Sequence, residues 1–70
     1  MDNQVECYSG NEYADRPMAF HWDAMRLEID NIEGQWRVPG EKCFRVRTRD
    51  GRRFMLKYVE LSDEWQIVLL

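Results

Sequence analysis

The sequence predicts an all-β domain. The expected architecture is a five- to six-stranded antiparallel meander, strongly bent into a small SH3-like or partly open barrel. Three observations carry this. Apolar residues recur at every second position along most of the chain, the period of a strand with one buried face. Turn-forming residues interrupt the alternation at Gly10-Asn11, Asp23-Ala24, Pro39-Gly40, Asp50-Gly51 and residues 60–63. Most of the loop lengths these breaks allow keep the apolar faces in phase from strand to strand.

Taken in order, residues 1–3 are expected to fray. Residues 4–9 alternate Val5 and Cys7 with Gln4, Glu6 and Tyr8 as a short strand, and 12–16 read as a connecting loop. Pro17 opens the next strand, where its missing N–H does least harm. Met18, Phe20 and Trp22 face one way, Ala19 and His21 the other. A two-residue Asp23-Ala24 turn then pairs Trp22 with Met25, Phe20 with Leu27 and Met18 with Ile29. Ala24 is the weak point, since a type I′ turn wants a positive φ there. The helical spacing of Met25, Ile29 and Ile32 is a rival, but the alternation of Met25, Leu27 and Ile29 continues the strand pattern.

After Ile29 the apolar residues move to even positions: Ile32, Trp36 and Val38. One extra residue near Asn31 accounts for this as a β-bulge, and Gly34 suggests a bend. A three-residue loop, 39–41, would set Trp36 opposite Phe44 and Glu33 opposite Arg47.

Residues 42–58 form the central hairpin. Phe44, Val46 and Thr48 alternate with Arg45, Arg47 and Arg49; Phe54, Leu56 and Tyr58 alternate with Arg53, Met55 and Lys57. A two-residue turn at Asp50-Gly51 would mix the faces. A three-residue loop, 49–51, pairs Val46 with Phe54 and Phe44 with Leu56, and puts Gly51 at the left-handed position of a G1 bulge. A four-residue loop, 60–63, then pairs Tyr58 with Trp65, Leu56 with Ile67 and Phe54 with Leu69.

Arg45, Arg47, Arg53 and Lys57 therefore project from one face of this hairpin, with Arg49 and Arg52 at its tip. Residues 42–57 hold seven of the ten basic residues and a single acid, while residues 1–33 hold eight of the thirteen acids, so the surface is dipolar. These six side chains are the candidate anion- or partner-binding set. Neutralisation by neighbouring carboxylates is the plain alternative, because like charges opposed across strands, as Arg47 and Arg53 should be, are destabilising. A net charge of −3 argues against a generally basic nucleic-acid binder. No outward aromatic is expected between the arginines for bases to stack on, which further weakens that reading.

The remaining chemistry is sparse. Cys7 and Cys43 are read as reduced, half-buried strand thiols; with one histidine they make no zinc set. His21 lies on a polar strand face with no evident nucleophile beside it. No phosphate loop, nucleophile elbow or metal-ligand spacing occurs, so no catalytic, cofactor-binding or metal residues are assigned. No apolar run approaches a membrane span, nor is there the apolar run of a signal peptide, so a cytoplasmic location is expected.

The stretch 16–24, with Pro17, Phe20 and Trp22, resembles a family of small uncharacterised bacterial proteins. These combine a Pro-x-x-Phe-x-Trp-x-Gly strand, a later Trp and a Phe-x-Val-x-Thr-x-x-Gly hairpin. Here the later Trp is Trp36 and the hairpin residues are Phe44, Val46, Thr48 and Gly51. Ala24 departs from the pattern, which has Gly there. The resemblance covers residues 16–51 and implies a compact β fold; it carries over no activity and no functional residues.

The expected function is a non-catalytic protein-interaction module, with an unknown protein or a second copy of itself as partner. The N-terminal strand and residues 65–70 are the candidate edges, and outward Val68 and Leu70 on the last strand are more apolar than a solvated edge needs. Nucleic-acid or polyanion binding through the arginine face is the alternative, and an enzyme is a distant third.

Overall fold

A computed structural model describes residues 4–7 and 16–70. The expected fraying of 1–3, the end of the first strand at Tyr8 and Ser9, and the break and loop over 10–15 lie outside the described residues. Six strands follow one another: β1 (Val5–Cys7), β2 (Pro17–Trp22), β3 (Met25–Val38), β4 (Glu41–Thr48), β5 (Arg53–Val59) and β6 (Glu64–Leu69). They form one antiparallel sheet in the order β1-β2-β3-β4-β5-β6. The sheet curls strongly into a half-barrel, and among the described residues β6 does not pair with β1. No described helix is long and apolar enough to cross a membrane.

Curling brings strands that are not neighbours in the sheet into contact. Phe54 of β5 meets the rings of Phe20 and Trp22 of β2 edge-on, with centroids 4.9 and 5.2 Å apart. Phe20, Phe44, Val46, Phe54 and Leu56 have no exposed surface and form the core with Val5, Leu27 and Trp65. Aromatic side chains supply most of the volume, as a chain this short requires.

Three turns follow the expected geometry. Asp23 and Ala24 both take positive φ, 52° and 62°, in a two-residue turn that pairs Trp22 with Met25 and Phe20 with Leu27. At the central hairpin, the Thr48 N–H donates to the Arg52 carbonyl at 2.8 Å and the Gly51 N–H to the Thr48 carbonyl at 3.0 Å, with Gly51 at φ 91°. Val46 then pairs with Phe54 and Phe44 with Leu56. The four-residue turn before β6 has Asp63 at φ 55°, and the Tyr58 hydroxyl donates to its carboxylate at 2.6 Å. Tyr58 pairs with Trp65, Leu56 with Ile67 and Phe54 with Leu69.

The structure corrects the expected third turn. Pro39-Gly40 is a two-residue turn that pairs Val38 with Glu41, with Gly40 at φ 80°. Pro followed by a positive-φ Gly suits a type II turn, and this combination closes the hairpin one residue earlier than expected. Trp36 therefore faces Cys43 rather than Phe44, and Arg47 faces Asn31 rather than Glu33.

A second correction concerns β3. Asp30 is an extra residue between the Ile29–Thr48 and Asn31–Arg47 pairs, giving the bulge expected near Asn31. Glu33 is a second extra residue, between the Ile32–Val46 and Gly34–Arg45 pairs. Each bulge reverses which face the following residues take. The second undoes the first, so Trp36 and Val38 point outward and are each 40% exposed, not part of the core.

Three more side chains expected in the core are exposed: Met18, Met25 and Leu69. Met18 stands at a bulge, since Glu6 pairs with Ala19 and Cys7 with Pro17. That break turns Met18 out, whereas Ala19 keeps to the polar face opposite Glu6 and Glu28 as expected, although it is buried there. Met25 adjoins a turn and Leu69 lies on the edge strand, where nothing described covers them. Cys43 is buried rather than half-buried, whereas Cys7 is partly buried.

Candidate functional site

The convex face of β3–β6 carries Arg45, Arg47, Arg53 and Lys57, while Arg49 and Arg52 stand in the β4–β5 connection, Arg52 with its guanidinium 5.6 Å from the centre of the Phe54 ring. Cross-strand pairing sets the side chains of the convex face in rows. One row runs Trp36, Cys43, Lys57, Gln66; the next runs Gly34, Arg45, Met55, Val68; the third holds Asn31, Arg47 and Arg53. Beyond the first row lie Val38, Glu41, Val59 and Glu64. Arg47 and Arg53 face each other as the sequence predicts.

Carboxylates neutralise four of the six candidate basic residues. Arg47 Nη2 lies 3.0 Å from Asp30 Oδ2, and its Nη1 4.0 Å from Glu33 Oε2. Arg53 Nε donates to Glu33 Oε1 at 2.9 Å. Arg49 Nη1 is 3.1 Å from Glu28 Oε1, and Arg52 Nη2 is 2.7 Å from Asp50 Oδ2. The bulges make this possible: each spare residue, Asp30 and Glu33, brings an acid against the arginines. Exposed pairs of this kind stabilise by only about 0–1 kcal/mol each, but they use up the positive field of the face. Arg45 and Lys57 make no ion pair within 4 Å among the described residues.

The acids respond in kind. The Arg53 hydrogen bond holds the Glu33 carboxyl below its ordinary value, with Arg47 and Arg45 adding attraction through space. Arg52, then the Thr48 hydroxyl, lowers Asp50 to about 2. On the other wing of the sheet, Arg26 bridges Glu6 at 2.8 Å and Glu28 at 3.1 Å, and the Arg26 hydrogen bond lowers Glu6. His21, exposed as expected, stands 3.8 Å from Glu6.

Trp36 is what the sequence reading missed. Its ring carbon Cζ3 stands 3.5 Å from where a β-carbon on Gly34 would be, and Arg45 Nη2 lies 3.8 Å from the same point. The indole and the Arg45 guanidinium thus both reach the space that a side chain on Gly34 would fill. The face therefore does carry an outward aromatic among its basic residues. Glu33, as a second spare residue, was the signal available: read as a bulge, it would have turned Trp36 outward.

Elsewhere the chemistry is thin. A polar groove of about 290 Å³ between β2 and β3 is lined by Arg16, Met18, Asp30, Asn31 and Arg49, among others. Among the described residues no cluster of three His, Cys, Asp or Glu is arranged to hold a metal ion. No protein-family model matches the chain, and neither the curated proteins nor the solved structures give a match. The fold and the face thus define the chain by its own geometry: an open antiparallel half-barrel with a charge-paired convex surface.

Proposed function

We propose that the chain is a non-catalytic interaction module that pairs with a second copy of itself along the free edge of β6. The observation that carries this is an edge strand apolar on both faces. Val68, Leu69 and Leu70 are 47%, 47% and 57% exposed, and Ile67 is only partly buried. The Leu70 N–H donates to the Arg53 carbonyl, which sets the alternation along β6. Residues 64, 66, 68 and 70 turn their backbone groups to β5, so those of Trp65, Ile67 and Leu69 face away from the sheet. Natural edges are blunted by Lys, Pro or bulges; β6 has none of these.

Charge favours a second copy as the occupant. Glu64, at one end, is the only charged residue of β6. Antiparallel self-pairing centred on Ile67 keeps the two Glu64 side chains at opposite ends. It sets Trp65 against Leu69 on the concave side and Gln66 against Val68 on the convex side. A two-fold axis normal to the sheet keeps each face continuous, so the partner's strand covers Leu69. The contact is short of the roughly 1,200 Å² that a stable interface buries, so the dimer is weak and concentration-dependent.

Light scattering coupled to size exclusion, from micromolar to millimolar protein, tests this. A dimer fraction that grows with concentration is expected. Val68→Lys, and Leu69→Pro, which removes an outward N–H, should each return the chain to monomer without loss of the β-sheet circular dichroism spectrum. A wild-type monomer at millimolar concentration, or dimers indifferent to both substitutions, would overturn the reading.

A further inference from the structure

We infer that the convex patch formed by Trp36, Arg45 and Lys57 binds single-stranded nucleic acid, one base stacking on the Trp36 ring and the flanking phosphates meeting Arg45 and Lys57. This site is distinct from the β6 edge, and its test does not depend on self-association.

Four observations converge on it. A large aromatic is 40% exposed on a sheet face, whereas the other described rings lie in the core or pack against it. Its Cζ3 stands over Gly34, where a β-carbon would meet it at 3.5 Å, so the missing side chain leaves the ring room beside the strand. An aromatic with substantial area open on a sheet face is what a base needs for stacking. The two candidate cations without an ion pair are the two nearest in the sheet: Arg45 shares the space over Gly34, and Lys57 lies one strand beyond Cys43, which faces Trp36. Cys43 itself is small and buried, so it raises no obstacle between ring and lysine.

The other arginines are held by Asp30, Glu33, Glu28 and Asp50 and are not free to meet phosphate without giving up a partner. Glu41 and Glu64 bound the patch on the far side of Trp36 and Lys57, so the strand would run from Lys57 past Arg45 toward the Arg47 and Arg53 row. An acidic peptide would gain the two cations but leave the ring unused. Duplex DNA presents no unstacked base to it.

The number of free cations gives the proposal a quantitative signature. Each phosphate neutralised on a single strand contributes about −0.7 to the slope of log affinity against log salt. Two cations predict a slope of about −1.4, whereas the whole six-residue arginine face would give about −4.

The test is fluorescence anisotropy of a labelled eight-nucleotide oligouridine with the full chain, over a series of salt concentrations. Binding with the shallower slope is expected. Trp36→Ser should weaken it about tenfold, and Trp36→Tyr, which keeps a ring, should largely restore it. Arg45→Gln and Lys57→Gln should each lower the slope by about 0.7, and Arg49→Gln should leave it unchanged. Because Trp36→Ser could disturb folding, amide shifts of the wild-type chain provide a second readout. On titration they should move at Gly34, Trp36, Cys43, Arg45 and Lys57. No binding at low salt, equal binding of duplex DNA or polyglutamate, a slope near −4, or shifts confined to residues 49–52 would overturn the inference.

Discussion

Trp36 covers Gly34, its Cζ3 standing 3.5 Å from the position a β-carbon would take. That is ordinary van der Waals contact, and the backbone at Gly34 is outside the left-handed region. Gly34→Ala should therefore keep the ring in place and raise stability by about 0.5 kcal/mol through the unfolded chain. Gly40 and Gly51 differ, at φ 80° and 91°. Alanine at either should cost about 1–2 kcal/mol. Urea midpoints with unchanged slopes check all three; a loss at Gly34 equal to that at Gly51 would mean the ring cannot accommodate a methyl group.

The turn between β2 and β3 holds alanine at φ 62°. Relief of that strain exceeds the extra flexibility glycine brings to the unfolded chain. Ala24→Gly should raise the urea midpoint, by an amount equivalent to about 0.5–1 kcal/mol. A lower midpoint would show that Ala24 is not strained as its φ implies.

Asp50 ties the central hairpin together. It accepts the Thr48 hydroxyl and, from Arg52, Nε at 2.9 Å and the backbone N–H at 3.3 Å. The fold holds its carboxyl at about 2, below the ordinary 3.8. A carboxyl held low contributes stability above its unfolded value and loses it as pH falls through the folded one. Stability should thus drop from about pH 4 to about pH 2, and Glu6 and Glu33, also held low, act in the same direction. Asp50→Asn should narrow its deficit against wild type as the pH falls over that window. A deficit that stayed constant would assign the effect to shape rather than charge.

Phe54 is fully buried and touches two rings on β2. Phe54→Ala should cost about 3–5 kcal/mol, comparable to the whole net stability of a domain this small. Loss of cooperative unfolding in circular dichroism is expected; a sharp transition within a few degrees of wild type would mean β2 does not rest on β5 as described.

The all-β class, the central hairpin register, the turn at Asp23-Ala24 and the last hairpin were legible in the sequence. In each of these, parity and loop length pointed to the same answer, as with Phe44 against Leu56 and Tyr58 against Trp65. The far half of β3 was not legible. Two bulges restore the original phase, so the net pattern around Ile32 and Trp36 reads as one. The charge pairing was half visible: Glu33 does reach Arg47 and Arg53, but as a spare residue and not as a register partner. Parity alone places Trp36 in the core, which hides the aromatic that stands beside Arg45.

The second bulge of β3 holds Glu33 outside the ladder. Delete Glu33, and the Ile32–Val46 pair is followed directly by Gly34–Arg45, so the strand straightens and the indole keeps its place on the convex side. One codon thus separates a shelf flanked by a guarded arginine row from the same shelf beside an unguarded one. The same cut would strip Arg53 of its carboxylate partner, so the charge of the outer surface can change without moving its aromatic.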